Sequence, residues 1–193
     1  MKKVGITGGL GSGKSMVCSI FIALGIPVYY SDKVARKLME TDAIIRQNLV
    51  RLLGNEVYNG FEPDRYKISE LIFKDPDLLK KVNQIIHPGV AADFADWCGK
   101  HKDLPYIVHE SALLFESNFF TLLDIVVTVT CPVEIRLQRI LTREGMTPEK
   151  AENIMHNQLS ENEKVKRSHY QINNDGSTLV LPQVLKIHTA LTH

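Results

Sequence analysis

Apolar residues in this chain fall into short runs separated by longer helical stretches, and the alternation predicts its elements. Residues 3–7, with the run Val4-Gly5-Ile6-Thr7, read as a strand that stops at glycines. Residues 14–24 follow as a helix, with Gly25 as its C-terminal stop. Residues 27–30 read as a second strand. Residues 32–100 are mostly helical, with breaks expected around 54–63 and at His87-Pro88-Gly89. Asp75-Pro76 marks a helix start, a capping side chain followed by proline in the first turn. Strand character returns at 106–109 and at 125–130, a Val/Thr-rich run suited to a parallel strand. Pro132 opens a helix with Val133, Leu137, Ile140 and Leu141 on one face. Thr147-Pro148 starts another that ends near Gln158. A short last strand over 170–173 and a closing amphipathic helix over 178–191 complete the chain. Strands alternating with helices imply a parallel α/β sheet with right-handed crossovers.

Composition narrows the classes. The chain has 193 residues, 44% hydrophobic and 23% charged, which fits one globular domain with a full core. The formal net charge of +1 argues against a surface built to grip nucleic acid or anionic lipid. Cys18, Cys98 and Cys131 lie far apart without CxxC spacing, so they read as buried thiols of a reducing compartment. The first apolar stretch is too short for a signal peptide. No run approaches the roughly 18 apolar residues of a membrane span, and a cytoplasmic protein is expected.

The strongest chemical signal is Gly8-Gly9-Leu10-Gly11-Ser12-Gly13-Lys14-Ser15, a complete phosphate-binding loop between a strand and a helix. Glycines let the backbone turn its N–H groups inward, and the helix that follows points its positive end at the same anion. Lys14 can bridge the β- and γ-phosphates of a nucleotide, and the Ser15 hydroxyl can ligate Mg²⁺. A GTPase would carry Asn-Lys-x-Asp, which is absent; Asp96-Trp97-Cys98-Gly99 fits a second GTPase pattern but falls in a predicted helix. No Leu-Ser-Gly-Gly signature of transporters is present. Small-molecule kinases remain, with a short core, an inserted acceptor region and an arginine-bearing lid. Arg136, Arg139 and Arg143 are spaced i, i+3, i+7 and share one predicted helix face, either for phosphoryl charge or as a solvated face paired with Glu134 and Glu144. Asp32, just past the second strand, sits where ligands bind in such sheets, as a proton acceptor, a water-mediated Mg²⁺ partner or a helix N-cap. Glu110, after the third predicted strand, is a candidate to organise Mg²⁺ water or a surface acid at the strand end.

Along nearly its whole length the chain resembles the dephospho-coenzyme A kinase family. The resemblance rests on Thr7 to Ser15, on Asp32, on Asp64-Arg65 followed by Leu71-Ile72-Phe73, and on Ile86-His87-Pro88. It continues through Ala112-Leu113-Leu114-Phe115-Glu116, Arg139, Arg143-Glu144-Gly145, Gln158, Lys164 and Asn174-Asp175-Gly176. The family's Asp-Ala-Asp stands here as Tyr30-Ser31-Asp32. Met16 replaces a common Thr, Ala112 a Pro, Ser168-His169 an Ala-Asp pair, and Arg136 stands where Gln is frequent. The resemblance implies a P-loop parallel sheet flanked by helices, with a helical acceptor-binding insert and a helical lid. In one domain, 1–193, it implies a core of 1–31, 104–132 and 168–193, an insert of 32–103 and a lid of 133–167. It implies transfer from ATP, with Mg²⁺, to the ribose 3′-hydroxyl of dephospho-coenzyme A. Lys14, Asp32 and Arg139 would be catalytic. Gly11, Ser12, Gly13, Lys14, Ser15, Met16, Arg139 and Asn174 would hold ATP. Asp32, Arg65, His87 and Leu113 would hold the acceptor, and Ser15 and Glu110 the metal. No nucleic-acid or membrane partner is expected, and a monomer is. A kinase for another small acceptor and a nucleotide-binding regulatory switch are the alternatives.

Overall fold

The computed structural model describes residues 1–73 and 75–192; Lys74, His193 and the Phe73 side chain lie outside the described residues. The chain opens with β1 (Lys2–Thr7), α1 (Lys14–Ala23) and β2 (Val28–Tyr30). Next come α2 (Ser31–Thr41), α3 (Ala43–Leu53), β3 (Tyr58–Asn59), β4 (Glu62–Pro63), α4 (Arg65–Phe73) and α5 (Pro76–Gly99). It closes with β5 (Tyr106–Glu110), β6 (Ile125–Thr130), α6 (Val133–Leu141), α7 (Pro148–His156), α8 (Glu161–Lys166), β7 (Tyr170–Asn173) and α9 (Val180–Thr192). These elements form two compact units, Met1–Tyr30 with His101–His193, and Ser31–Lys100.

The first unit is an α/β fold on a five-stranded sheet of order β2-β5-β1-β6-β7, every pairing parallel, as the alternating pattern requires. Period-two alternation sends Val4, Ile6, Tyr106, Val108, Val127 and Val129 to one face, where α1 (Val17, Cys18, Phe21) and α9 (Val184, Ile187, Leu191) bury them. On the other face His109 stacks between Tyr29 and Phe119, with ring centroids 5.4 Å apart in each pair. Burial pushes the His109 imidazole down to about 4. All three cysteines are buried and unbridged.

Four expectations change. Helix α5 runs unbroken through His87-Pro88-Gly89, where a break is predicted. An interior proline costs about 3 kcal/mol. Burial of Val82, Ile86, Val90, Phe94 and Cys98 along one stripe, at roughly 1.5–3 kcal/mol for each large side chain, outweighs it. His87 is therefore a mid-helix residue. Second, the interval 54–63 holds a 3₁₀ turn and the β3–β4 hairpin rather than a bare break. Third, α2 begins at Ser31, so Asp32 lies inside its first turn instead of capping it, and β2 stops at Tyr30. Fourth, α6 ends at Leu141, which takes Arg143 off the arginine face, and its buried positions are Arg136 and Ile140, while Val133 and Leu141 are exposed. Asp75 does cap α5, accepting from the N–H groups of Asp77 and Leu78.

Candidate active site

β1 delivers the glycine loop to the carboxyl edge of the sheet, where ligands bind in open α/β folds. Gly13 caps α1 at φ +95°, a left-handed conformation, and a side chain there would collide with Asn174. Among the described residues, the N–H groups of Gly11, Gly13 and Ser15 have no protein acceptor, and the last two open α1. The Lys14 ammonium donates to the carbonyls of Gly8 (3.0 Å) and Gly9 (3.4 Å). Ser15 and Met16 are exposed at the helix start. The Thr7 and Ser12 hydroxyls are buried without a hydrogen-bond partner. Donors gathered without acceptors, beside a lysine, fit the phosphates of a nucleotide.

The loop is held from outside at two places. The Asn174 side-chain amide donates to the Ser12 carbonyl at 2.8 Å, and Arg139 donates to the Asn174 carbonyl at 3.3 Å. Asp175 shapes the turn that carries Asn174; hydrogen bonds from Ser177, Asn173 and Thr178 hold its carboxyl down to about 2. At the loop apex, the Leu10 N–H donates to Gln158 Oε1 at 2.9 Å, and Arg136 Nε donates to the Leu10 carbonyl at 2.8 Å. Arg136 is only 6% exposed, and its guanidinium lies where a side chain on Gly9 would stand.

Glu110 ends β5 in register with Ile6 on one side and Tyr30 on the other, and it is buried. Burial, followed by the influence of Glu110, pushes the Cys18 thiol well up, with Lys14 opposing the rise. Burial likewise raises the Tyr30 phenol, reinforced by Cys18 and Glu110. Tyr30 is thus a neutral hydroxyl beside Glu110. Leu113 lies in the turn after β5, where its N–H meets Ser111 and its carbonyl accepts from Ser117.

The second unit carries Asp32, Arg65 and His87. Asp32 is exposed in the first turn of α2. Arg65 opens α4 and pairs with Glu40 at the edge of a cleft of about 640 Å³ that Phe61 and Asp64 also line. His87 is half-buried on α5, and burial lowers its pKa.

Gln158 and Lys164 come from the resemblance alone, with no role attached to either, and spacing does not separate Arg136 from Arg139. Lys164 is fully buried, donating to the Ala112 carbonyl at 2.7 Å and pairing with Glu116 at 3.0 Å. A lysine in a charged stretch, Glu-Asn-Glu-Lys-Val-Lys, gives no sign of burial; only its place in the resemblance, after Gln158, points to it.

A parallel sheet that ends in a glycine loop with free N–H donors, a lysine on that loop and an arginine clamped behind it defines a P-loop kinase. The dephospho-CoA kinase family model matches residues 2–179. The chain belongs to that family. A dephospho-CoA kinase of Porphyromonas gingivalis is 40% identical over 189 residues, covering 97% of this chain and 93% of the relative. A crystal structure of a Thermus thermophilus protein superposes with a TM-score of 0.87 at 32% identity, covering 98% of this chain and 96% of the other. The Campylobacter jejuni dephospho-CoA kinase shares the fold, with a TM-score of 0.71 at 22% identity over 98% of this chain and 96% of its own. No described helix is long and apolar enough to cross a membrane.

Proposed function

We propose that this chain transfers the γ-phosphoryl group of ATP to the ribose 3′-hydroxyl of dephospho-coenzyme A, giving ADP and coenzyme A, the last step of coenzyme A biosynthesis. The observation that carries it is the loop of unsatisfied N–H donors at Gly11, Gly13 and Ser15 beside Lys14, in a chain of this family. Gly11, Ser12, Gly13 and Met16 line the phosphate cradle, and Asn174 supports it from behind. Lys14 follows the charge that builds on the β- and γ-phosphates as the bond to the γ group breaks. Among the described residues no cluster of three or more His, Cys, Asp or Glu could hold a metal. Mg²⁺ would be held by the Ser15 hydroxyl, exposed at the start of α1, and by the substrate phosphates, with Glu110 ordering its water. When bound, Mg²⁺ neutralises phosphate charge.

Asp32 takes the proton from the attacking hydroxyl, the general-base role. Arg139 sets its planar fork on the oxygens of the transferring group, releasing the Asn174 carbonyl. Arg65, His87 and Leu113 receive the acceptor, Arg65 from the cleft it lines. In this reading 32–103 is the acceptor-binding insert and 133–167 the lid that excludes water. The enzyme works in the cytoplasm as a monomer.

ADP formation at saturating ATP tests the acceptor. It is expected only with dephospho-coenzyme A. Equal ADP formation without it would point to a nucleotide switch, and faster turnover on a nucleoside or nucleotide to another small-molecule kinase.

A further inference from the structure

The apex of the phosphate loop is gripped on both sides of one residue. Within the loop, the Ser12 N–H closes a turn on the Gly9 carbonyl at 3.1 Å, and Leu10 takes part with neither its N–H nor its carbonyl. Both of these groups are spent outward, on Gln158 (2.9 Å) and on Arg136 (2.8 Å). Gln158 follows α7 and Arg136 lies on α6, so two separate elements converge on one backbone position. Leu10 is flanked by Gly8, Gly9 and Gly11, so a loop without this grip has many backbone states to lose when it closes on phosphates. The peptide planes around Leu10 also set where the Gly11 N–H points.

Arg136 is built in for this contact. It is 6% exposed, its Nη1 is 4.0 Å from Glu161 Oε2, and the same carboxylate oxygen accepts from the Cys131 N–H at 3.0 Å. That anchors the arginine to the end of β6. A buried charge of this kind is kept only where its donors are used. We propose that Arg136 and Gln158 form a two-point latch on Leu10 that holds the phosphate loop in its nucleotide-binding shape. Both act as positioning residues for ATP. The inference rests on the reading that this loop holds ATP, and adds to it that affinity for ATP is set from α6 and the end of α7.

Both side chains line a cavity of about 340 Å³ bounded by α6, α7 and α8, so either can be changed without cutting into the sheet core. The test uses the full chain with three single variants and one double. Gln158→Met keeps the length and removes the acceptor; Gln158→Glu keeps an acceptor oxygen at the same reach; Arg136→Met removes the donor. ATP affinity is read by titration calorimetry, and KM for each substrate, the melting temperature and Leu10 amide exchange alongside it. We expect Gln158→Met to weaken ATP about tenfold, the weight of one hydrogen bond to a fixed backbone group. KM for dephospho-coenzyme A and the melting temperature stay near wild type, Leu10 exchanges faster, and Gln158→Glu recovers most of the affinity. In the double variant the second change costs less than it does alone, because both act on one residue. Wild-type ATP affinity in Gln158→Met, equal losses in Gln158→Met and Gln158→Glu, or strictly additive losses in the double variant would each overturn the latch. A wild-type chain that binds no ATP sinks the functional reading, and the latch with it.

Discussion

In the sheet unit, candidate residues are tied to backbone by partners far off in sequence: Asn174 holds Ser12 across 162 positions and Arg136 holds Leu10 across 126. In the helical unit, Asp32 and Arg65 are exposed, and Arg65 leans on another exposed side chain, Glu40, 25 positions away. An exposed ion pair of that kind is worth roughly 0–1 kcal/mol and breaks readily for a ligand. A hydrogen bond to a loop with nowhere else to go is not exchanged so cheaply. In the proposed reading the nucleotide side is thus built before substrate arrives, which is where preorganisation lowers a barrier most, and the acceptor side is left adjustable.

The comparison predicts where function breaks without structure. Asp32 is exposed, so Asp32→Asn should cost about 10³-fold in kcat, within the range of a lost general base, while the melting temperature barely moves. Tyr30→Phe deletes only a hydroxyl and should keep most turnover. Steady-state kcat at saturating ATP and dephospho-coenzyme A checks both; an active Asp32→Asn beside a dead Tyr30→Phe would move the chemistry to the tyrosine.

A smaller loss separates charge from shape at Arg139. Lysine keeps the charge and loses the fork that reaches two oxygens, so Arg139→Lys should lower kcat roughly 10²-fold. Single-turnover rates equal to wild type would reduce Arg139 to a support for the Asn174 turn.

A change in stability rather than turnover tests the sheet unit as scaffold. Burial holds His109 near 4, against an ordinary value near 6.5. Between those values the unfolded chain binds a proton that the folded chain refuses, so stability falls as pH drops from 6.5 toward 4. The loss amounts to about 3 kcal/mol once pH is below both values. His109→Phe should narrow the gap between melting temperatures at pH 7 and pH 4.5, since phenylalanine keeps the stack between Tyr29 and Phe119. An unchanged gap would place the acid sensitivity elsewhere.

Much of this was legible in the residues. The glycine loop announces itself because its chemistry demands consecutive positions, and the five parallel strands follow from short β-branched runs between helices. What could not be read depends on tertiary contact. Pro88 looks like a helix break until the stripe from Val82 to Cys98 is seen buried. Periodicity put Arg136 and Arg139 on one face but could not say that the first is buried against Leu10 and the second reaches Asn174. Gln158 shows no local pattern at all, since its side chain meets a backbone N–H 148 positions earlier.

The most direct test of the central claim follows the γ-phosphoryl group itself. The chain is incubated with γ-labelled ATP, Mg²⁺ and dephospho-coenzyme A, and the label is located by phosphorus NMR. The account predicts label on the ribose 3′-oxygen of coenzyme A, in step with ADP, and its disappearance in Lys14→Ala that remains folded. Label released as free phosphate whether or not the acceptor is present, or transfer undiminished in Lys14→Ala, would contradict it.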